Sequence, residues 1–437
     1  MEQTQIPLFL LVPFVLMLLC IALAPLFFEH RWEKNLNKLI ISVILSVPVV
    51  AWMVGHGLSD ALVHQMVYDY LPFIILLLAL FVVTGGIRVK GDIRATPAVN
   101  TIFLAIGWLL ASFMGTTGAA MLLIRPLIAT NLRRQHNTHT ILFFIAAVAN
   151  CGGLLTPLGD PPLFLLYLRG AEFGWFFHLL PMWLTVGALL LATYFVLDCY
   201  YYNKEKKAGL AAPAEPQGPR EPLAFAGLIN VVWLLCVMAC VMFITPGFIP
   251  AMGDHHAPWY LRLLREFVLL LIIGASWLTT KRQVRTENKF SWRPIIEVAV
   301  LFLGIFATMT PALMYLNANA PRLGLTTPEE YFFSTGILSS FLDNAPTAVA
   351  FHTVAGGMGL PAETVVAGIP ELILKAIACG AVFFGALTYI GNGPNFMVKA
   401  IAEQSGIRMP SFFGYITRFS FIFLLPIYII VWLLFFF

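Results

Sequence analysis

Residues 153–164 read GLLTPLGDPPLF, and residues 385–396 read GALTYIGNGPNF. Both stretches fit the pattern GxLTxxGxxPxF, which therefore occurs twice in one chain. Each copy places glycine, proline and hydrogen-bonding side chains inside an otherwise apolar segment. Apolar segments that are interrupted at corresponding points of two halves are typical of the binding sites of membrane transporters. The duplicated motif predicts an internal repeat in which each half contains a broken helix.

The composition excludes an ordinary soluble domain. The chain is 59% hydrophobic and only 11% charged, whereas a soluble domain carries about 25% charged residues. We therefore expect an all-α polytopic membrane protein that is embedded in the lipid bilayer. The net charge of +4 does not indicate a nucleic-acid partner, because the basic residues lie between apolar runs. The six cysteines lack metal-ligand spacing and fit small core residues, and nothing in the sequence calls for a cofactor.

The apolar runs predict about ten spanning segments. The first run, 6–28, lacks a basic region before it and fits a retained span rather than a signal peptide. Two further stretches, 96–131 and 330–354, each have two apolar arms around a polar tip, and we interpret both as re-entrant hairpins. The predicted spans, of which 139–170 and 370–403 are broken, are 6–28, 39–57, 70–87, 139–170, 176–202, 223–250, 263–280, 294–316, 370–403 and 411–437.

The distribution of Lys and Arg predicts how the chain crosses the membrane. With both termini outside, the segments expected in the cytoplasm hold 18 of the 26 basic residues and the external segments hold four. This bias follows the positive-inside rule. The order of three spans, hairpin, broken span and span then occurs twice, starting outside in 1–202 and inside in 223–437. That order is an inverted repeat, joined by a cytoplasmic linker at 203–222.

Hairpin tips and helix breaks supply the candidate site residues. Unpaired backbone groups and helix dipoles at such points offer ion ligands, and Thr, Asn and Asp add the oxygen atoms that hard cations prefer. Asp160 and Asp343 are the strongest candidates, as sodium ligands, because a carboxylate inside a membrane usually marks an ion or proton pathway. The alternative is that either aspartate caps a helix. Arg125 could meet an anionic substrate or neutralise Asp160.

Four stretches in order resemble the ion transporter superfamily. They are ASFMGTTGAAMLLIRP (111–126), GGLLTPLGDPPLF (152–164), SSFLDNAPT (339–347) and GNGPNFMVKAIAE (391–403). In particular, the chain resembles its NhaD-like bacterial branch, described as sodium:proton antiporters or citrate transporters. The resemblance implies a homodimer that moves its substrate by an elevator-like shift.

The resemblance also implies two cation sites, each formed where a hairpin tip meets a helix break. Relatives that carry dicarboxylates typically show Ser-Asn-Thr tips, whereas the tips here read GTTG and DNAPT, and this difference weakens a carboxylate substrate. The first site would use Thr116, Thr117, Thr156, Gly159 and Asp160, and the second would use Asp343, Asn344, Thr347, Thr388, Gly391, Asn392 and Asn395.

These features favour a secondary active transporter of the bacterial inner membrane rather than an enzyme. The first hypothesis is a sodium/proton antiporter, because two membrane acids could bind Na⁺ or H⁺ in competition. The alternative is a cation-coupled symporter of citrate or a related carboxylate, with helix N-termini and Arg125 holding the anion. A remote alternative is an intramembrane aspartyl protease with two carboxyl groups sharing a proton. The inverted repeat has no explanation in proteolysis.

Overall fold

A computed structural model describes residues 6–32, 34–90, 94–209, 224–254 and 257–437. These residues are mostly helical, with two short two-stranded ribbons. In a bilayer a helix satisfies its backbone N–H and C=O groups internally, so long apolar runs of this kind fold as helices. The predicted all-α polytopic membrane architecture is confirmed.

The described residues of the first half form ten α-helices. Short 3-10 segments occur at Leu8–Leu10, Cys151–Leu155 and Phe173–Leu179, and a π-helical segment at Gln65–Tyr70 joins the fourth helix to the fifth. The helices are α1 (Leu11–Phe27), α2 (Glu29–Trp32), α3 (Asn35–Gly55), α4 (Ser59–His64), α5 (Leu71–Thr84), α6 (Pro97–Met114), α7 (Thr116–Asn131), α8 (Thr138–Ala147), α9 (Pro161–Leu168) and α10 (Leu180–Lys207).

The second half contains eleven α-helices within its described residues. Its 3-10 segments lie at Pro250–Met252, Ala320–Arg322 and Gly385–Leu387, and a π-helical segment lies at Ile416–Leu424. The helices are α11 (Ile229–Phe243), α12 (Trp259–Arg262), α13 (Leu264–Thr279), α14 (Arg282–Glu287), α15 (Arg293–Asn319), α16 (Pro328–Phe341), α17 (Asn344–Met358), α18 (Glu371–Phe384), α19 (Gly393–Gln404), α20 (Phe412–Tyr415) and α21 (Leu425–Phe435).

Two antiparallel ribbons complete the architecture. Strand β1 (Arg88–Lys90) pairs with β2 (Ala224–Ala226), with Arg88 opposite Ala226. Strand β3 (Val365–Val366) pairs with β4 (Ile369–Pro370), with Val366 opposite Ile369. The first ribbon joins the region after α5 to the region before α11, and so it connects the two halves of the chain.

Eight helical segments of the described residues are long and apolar enough to cross a membrane. One of them, Pro97–Met114, is the first arm of the predicted first hairpin. Helix α10 continues past the predicted start of the linker at residue 203, to Lys207, and the linker boundary stays a prediction. Lysine and glutamate are good helix formers, so the polar end of this segment extends the helix. Residues 210–222 of the predicted linker lie outside the described residues.

Both predicted hairpins are pairs of helices that reverse at the expected tips. Gly115, with φ of +81°, separates α6 from α7, and a side chain at this φ would be strained. Leu342 and Asp343 separate α16 from α17. Thr327 and Glu330 form a capping box at the start of α16, which fixes where this arm begins. Whether the hairpins enter and leave on one side of the membrane stays a prediction.

The two halves pack against each other in a reciprocal way. Helix α7 of the first hairpin packs on α19, and α17 of the second hairpin packs on α9. Likewise α5 contacts α13, and α3 contacts α15. The order of three long segments, helix pair, broken helix and long helix occurs in both halves. Exchanged contacts of this kind are expected for a pseudo-two-fold arrangement, while the opposite membrane orientation of the halves stays a prediction.

Candidate functional site

The glycines of the duplicated motif allow the chain to fold back on itself at each break. A Cβ atom on Gly159 would lie 1.9 Å from the carbonyl oxygen of Gly153, and one on Gly391 would lie 2.7 Å from that of Gly385. Real Cβ atoms do not approach oxygen so closely. The first and last glycines of GxLTxxG therefore let backbone meet backbone, and each break is a compact loop between two half-helices.

The threonines of the motif attach each break to its own hairpin. The Thr156 hydroxyl donates to the carbonyl of Ser112 near the end of α6 and accepts from the Leu158 N–H at 3.2 Å. In the second half Thr388 donates to Ser340 and accepts from the Ile390 N–H at 3.2 Å. These bonds satisfy backbone groups that the helix ends leave free. Both threonines thus hold hairpin and break together.

Asp160 lies where both hairpin tips and both breaks meet. Its side chain is buried. Oδ1 accepts from the hydroxyl of Thr116 at 2.8 Å and from Nδ2 of Asn392 at 3.1 Å. Oδ2 accepts from Nδ2 of Asn344 at 2.6 Å. The two predicted sets of site residues are therefore joined into one network around this carboxylate.

Four helices begin at this network. Helices α7 and α17 begin at the hairpin tips, and α9 and α19 begin directly after Asp160 and Asn392. Each helix N-terminus carries about half a positive elementary charge from its aligned peptide dipoles. The converging N-termini favour a negative charge in the centre, which Asp160 supplies and which a bound anion would share.

Asp343 has a different role from Asp160. Its carboxylate accepts from the backbone N–H of Ala345 at 3.0 Å, and its carbonyl accepts from the hydroxyl of Thr347 at 2.8 Å. The capping interpretation is thus confirmed for Asp343, which is the N-cap of α17. Asp160 occupies the N-cap position of α9, but its side chain makes no capping bond within the described residues. The two aspartates are not equivalent.

The other predicted site residues surround this centre. Asn395 is buried and donates to the carbonyls of Gly385 and Thr388 at 2.8 and 2.9 Å. The carbonyl of Gly159 accepts from the backbone N–H of Thr116 at 2.7 Å. Thr117 is half-buried and lines the cavities described below. Arg125 does not contact Asp160.

Asn150 is a site residue that the sequence did not predict. It lies three residues before the first motif and is fully buried. Its Nδ2 donates to Oδ1 of Asn395 at 2.6 Å, and its Oδ1 accepts from Nδ2 of Asn392 at 3.2 Å. The corresponding position of the second half is Val382, so a comparison of the two copies gives no sign that residue 150 belongs to the site. A polar residue inside an apolar arm was the available signal.

Two adjoining cavities lead to Asp160. The inner cavity has about 80 Å³ of space and lies against the first hairpin tip and the first break, between Gly115 and Asp160. The outer cavity has about 550 Å³ and extends along α7 to the loop after α14. Both are lined by Phe81, Thr117, Gly118 and Pro294. The shared lining makes the outer cavity a vestibule for the inner one.

Three of the four charged residues that line the vestibule are basic. Arg88, Arg125 and Lys289 face it, together with Glu287. Glu287 forms an ion pair with Arg88. The guanidinium of Arg125 is half-buried and has no hydrogen bond or ion pair to any described residue. The unneutralised charges would attract an anion toward the first hairpin tip.

The fold and the site define a polytopic membrane transporter, and comparison with known proteins agrees. The chain matches, over residues 3–436, the family described as "Putative citrate transport", and it belongs to that family. An uncharacterized transporter of Mycobacterium tuberculosis is 26% identical over 398 residues, which are 86% of this chain and 88% of that protein.

Two further relatives are membrane proteins. The inner membrane protein YbiR of Escherichia coli is 23% identical over 290 residues, covering 63% of this chain and 69% of that protein. The 46 kDa membrane protein of Mycobacterium leprae is 23% identical over 373 residues, covering 78% and 81%. The chain is therefore an integral membrane transporter. The family description does not name sodium:proton antiport, so the NhaD-like branch stays a prediction.

Proposed function

We propose that this protein is a secondary transporter that carries citrate or a related carboxylate together with a coupling cation, sodium or a proton. The observation that carries the proposal is the vestibule with its basic residues, which continues through the inner cavity to Asp160. Arg125 lies there without a partner among the described residues, and the vestibule continues into the inner cavity past Thr117 and Gly118. An organic anion would find a guanidinium on its route and helix N-termini at its end.

Asp160 is the proposed binding group for the coupling cation. Its carboxylate is the acid at which both halves meet, and a cation bound to it would act on both hairpin tips at once. Neutralising this charge would also lower the repulsion that a carboxylate substrate meets in the same cavity. Binding of the cation would thus favour binding of the anion, as symport requires. An elevator-like shift within a homodimer is the expected movement.

The proposal is tested with the purified full-length protein in liposomes. Uptake of labelled citrate and smaller carboxylates is measured with an imposed sodium gradient, a pH gradient or neither. We expect uptake of at least one carboxylate under one of the gradients. Asp160→Asn should abolish the gradient-driven component, and Asp60→Asn, at an exposed position on α4, should not.

The Arg125→Gln variant tests the vestibule. We expect the half-saturating carboxylate concentration to rise about tenfold, since a hydrogen bond to a charged group contributes about 1.5–3 kcal/mol. Arg282→Gln is the matched control, because Arg282 is exposed on α14 and does not line the vestibule. A wild-type protein that transports no carboxylate under any gradient would contradict the proposal.

Sodium/proton antiport is the second candidate. It is favoured by the proximity of two acids, since Asp343 directly precedes Asn344, which donates to Asp160. Competition of Na⁺ and H⁺ for Asp160 would suffice for exchange. Liposomes with an imposed pH gradient would then lose it when Na⁺ or Li⁺ is added without any carboxylate. Dissipation that requires a carboxylate would instead support symport.

A further inference from the structure

We propose that Asn150 is a positioning residue that holds Asn392 as a fixed donor to Asp160 and so excludes Asn392 from the ligands of the coupling cation. This inference rests on the proposed role of Asp160 and adds the side from which the cation reaches its carboxylate. The cation would have to reach Asp160 from the hairpin tips. A row of buried amides leads from the second break to the carboxylate.

The row starts at backbone carbonyls, which cannot reverse their polarity. Asn395 donates through Nδ2 to the carbonyls of Gly385 and Thr388, at 2.8 and 2.9 Å. Its nitrogen is therefore fixed toward the second break, and its Oδ1 must point the other way. That oxygen accepts from Nδ2 of Asn150 at 2.6 Å.

Asn150 passes this orientation on to the next amide. Its Nδ2 also donates to the carbonyl of Ile145 at 2.8 Å, so two acceptors hold the nitrogen in place. The Oδ1 of Asn150 then faces Asn392 and accepts from its Nδ2 at 3.2 Å. An amide has two N–H donors and one oxygen acceptor, and turning Asn150 would place like groups opposite each other at both ends.

Asn392 is thereby held with its nitrogen toward Asp160. Its Nδ2 faces three oxygens, which are the Ala149 carbonyl at 3.3 Å, Oδ1 of Asn150 at 3.2 Å and Oδ1 of Asp160 at 3.1 Å. The oxygen of Asn392 is turned away from the carboxylate. A cation cannot use an N–H group as a ligand, so this side of Asp160 is closed to it.

The hairpin tips make adjustable contacts with the same carboxylate. The Thr116 hydroxyl can rotate and present a lone pair, because an O–H group is both donor and acceptor. Asn344 donates to Oδ2 of Asp160 through Nδ2, and no described residue holds its Oδ1. Both groups can thus exchange donation for ligation when a cation arrives. Binding of a cation to Asp160 would thus change the hydrogen bonds of the two hairpin tips, while the hydrogen bonds of the two breaks stay as they are.

The variant Asn150→Val tests this role, and valine is the residue at the corresponding position of the second half, Val382. Without Asn150, the Ala149 carbonyl and Asp160 are the remaining acceptors for Nδ2 of Asn392 among the described residues. The Asn392 oxygen can then turn toward Asp160 and join the cation ligands. We expect the half-saturating concentration of the coupling cation to fall about tenfold and the maximal uptake rate to fall with it, because the cation leaves more slowly.

Asn395→Leu and the double variant provide the decisive comparison. Leucine is the residue at the corresponding position of the first half, Leu163. Asn395 bonds to the second break and to Asn150, and in this row it affects Asn392 through Asn150. Asn395→Leu should therefore lower the half-saturating concentration by a smaller factor. The double variant should lower the half-saturating concentration of the cation no further than Asn150→Val does, because both changes free the same amide, that of Asn392. The control Asn230→Leu removes another fully buried asparagine, one bound to Ser276 and Thr280, and should leave cation affinity unchanged.

Each outcome of the liposome assay decides one question. Damage to the fold would lower the maximal rate without tightening cation binding, and thermal unfolding of each variant monitors it. A folded Asn150→Val protein with an unchanged or increased half-saturating concentration overturns the inference, as do multiplying effects in the double variant. If the wild type shows no coupled transport of any kind, the proposed function fails and the inference about Asn150, which rests on it, fails too. A wild type that shows coupled transport, with an Asn150→Val protein of unchanged cation affinity, overturns the inference alone.

Discussion

At the scale of single residues, the two outer glycines of each motif copy set the shape of the break. Gly159 has no room for a side chain, because a Cβ atom there would lie 1.9 Å from the Gly153 carbonyl oxygen and 2.9 Å from the Gly153 Cα. Backbone atoms on both sides leave nothing that could give way cheaply. Asp160 is the next residue in the chain, so the position of its carboxylate depends on this contact.

The substitution Gly159→Ala should prevent the first break from closing. We expect a protein that is lost from the membrane fraction or aggregates in detergent, because overpacking against rigid backbone typically costs about 1–3 kcal/mol and often more. Gly393→Ala is the matched control, since a Cβ atom there meets nothing within 4 Å. Size-exclusion chromatography and thermal unfolding in detergent measure both. A Gly159→Ala protein as stable as the control would contradict this packing.

At the scale of secondary-structure elements, Asp343 fixes where the second arm of the second hairpin begins. Its carboxylate caps α17 through the Ala345 N–H. Serine also caps helices well, whereas alanine does not. The pair Asp343→Ser and Asp343→Ala therefore separates capping from binding of a cation by the charge.

We expect Asp343→Ser to keep most of the stability and transport of the wild type. Asp343→Ala should lose about 0.5–2 kcal/mol of stability, the usual value of an N-cap. Thermal unfolding and liposome uptake of both variants give the comparison. If Asp343→Ser retains the stability but abolishes transport, the carboxyl group binds a transported ion and the capping role is not its main one.

The elements that break and reverse could be predicted from the sequence because their signals are local. Glycine and proline interrupt apolar runs at positions 153–164 and 385–396, together with aspartate in the first stretch and asparagine in the second, and both breaks lie there. The joining of the two predicted sets at Asp160 could not be predicted, since it depends on how four helix N-termini pack. Asn150 was missed for the same reason, because its partners are 242 and 245 residues away.

A buried ion cluster also escaped the sequence analysis. Arg134 follows the predicted hairpin 96–131 and precedes the predicted span 139–170, where a loop is expected. It is nevertheless buried and paired with Asp198 and Glu205 of α10. His139 also bonds to Asp198, at 2.8 Å. These partners are 64 and 71 residues from Arg134 in the chain, so spacing gives no sign of them. Arg265, near the start of the predicted span 263–280, is likewise buried and paired with Glu266.

At the scale of the whole molecule, the reciprocal packing of the two halves requires a particular course through the membrane. Helix α7 packs on α19 while α17 packs on α9, and an inverted repeat would bring corresponding elements together from opposite sides. The loop between α3 and α4 corresponds to the loop between α13 and α14. The first is predicted outside and the second in the cytoplasm, by the distribution of Lys and Arg.

Labelling of two single positions tests this orientation. Asp60 lies in the first turn of α4 and Arg282 begins α14. Both are exposed, whereas the native cysteines of the described residues are buried or half-buried. A membrane-impermeant maleimide should label Asp60→Cys in intact cells and Arg282→Cys only after the membrane is opened, against the wild-type background. The reverse pattern would invert the predicted topology while keeping the repeat. Labelling of both positions from the same side would rule out the inverted repeat, because corresponding loops of its halves must face opposite sides.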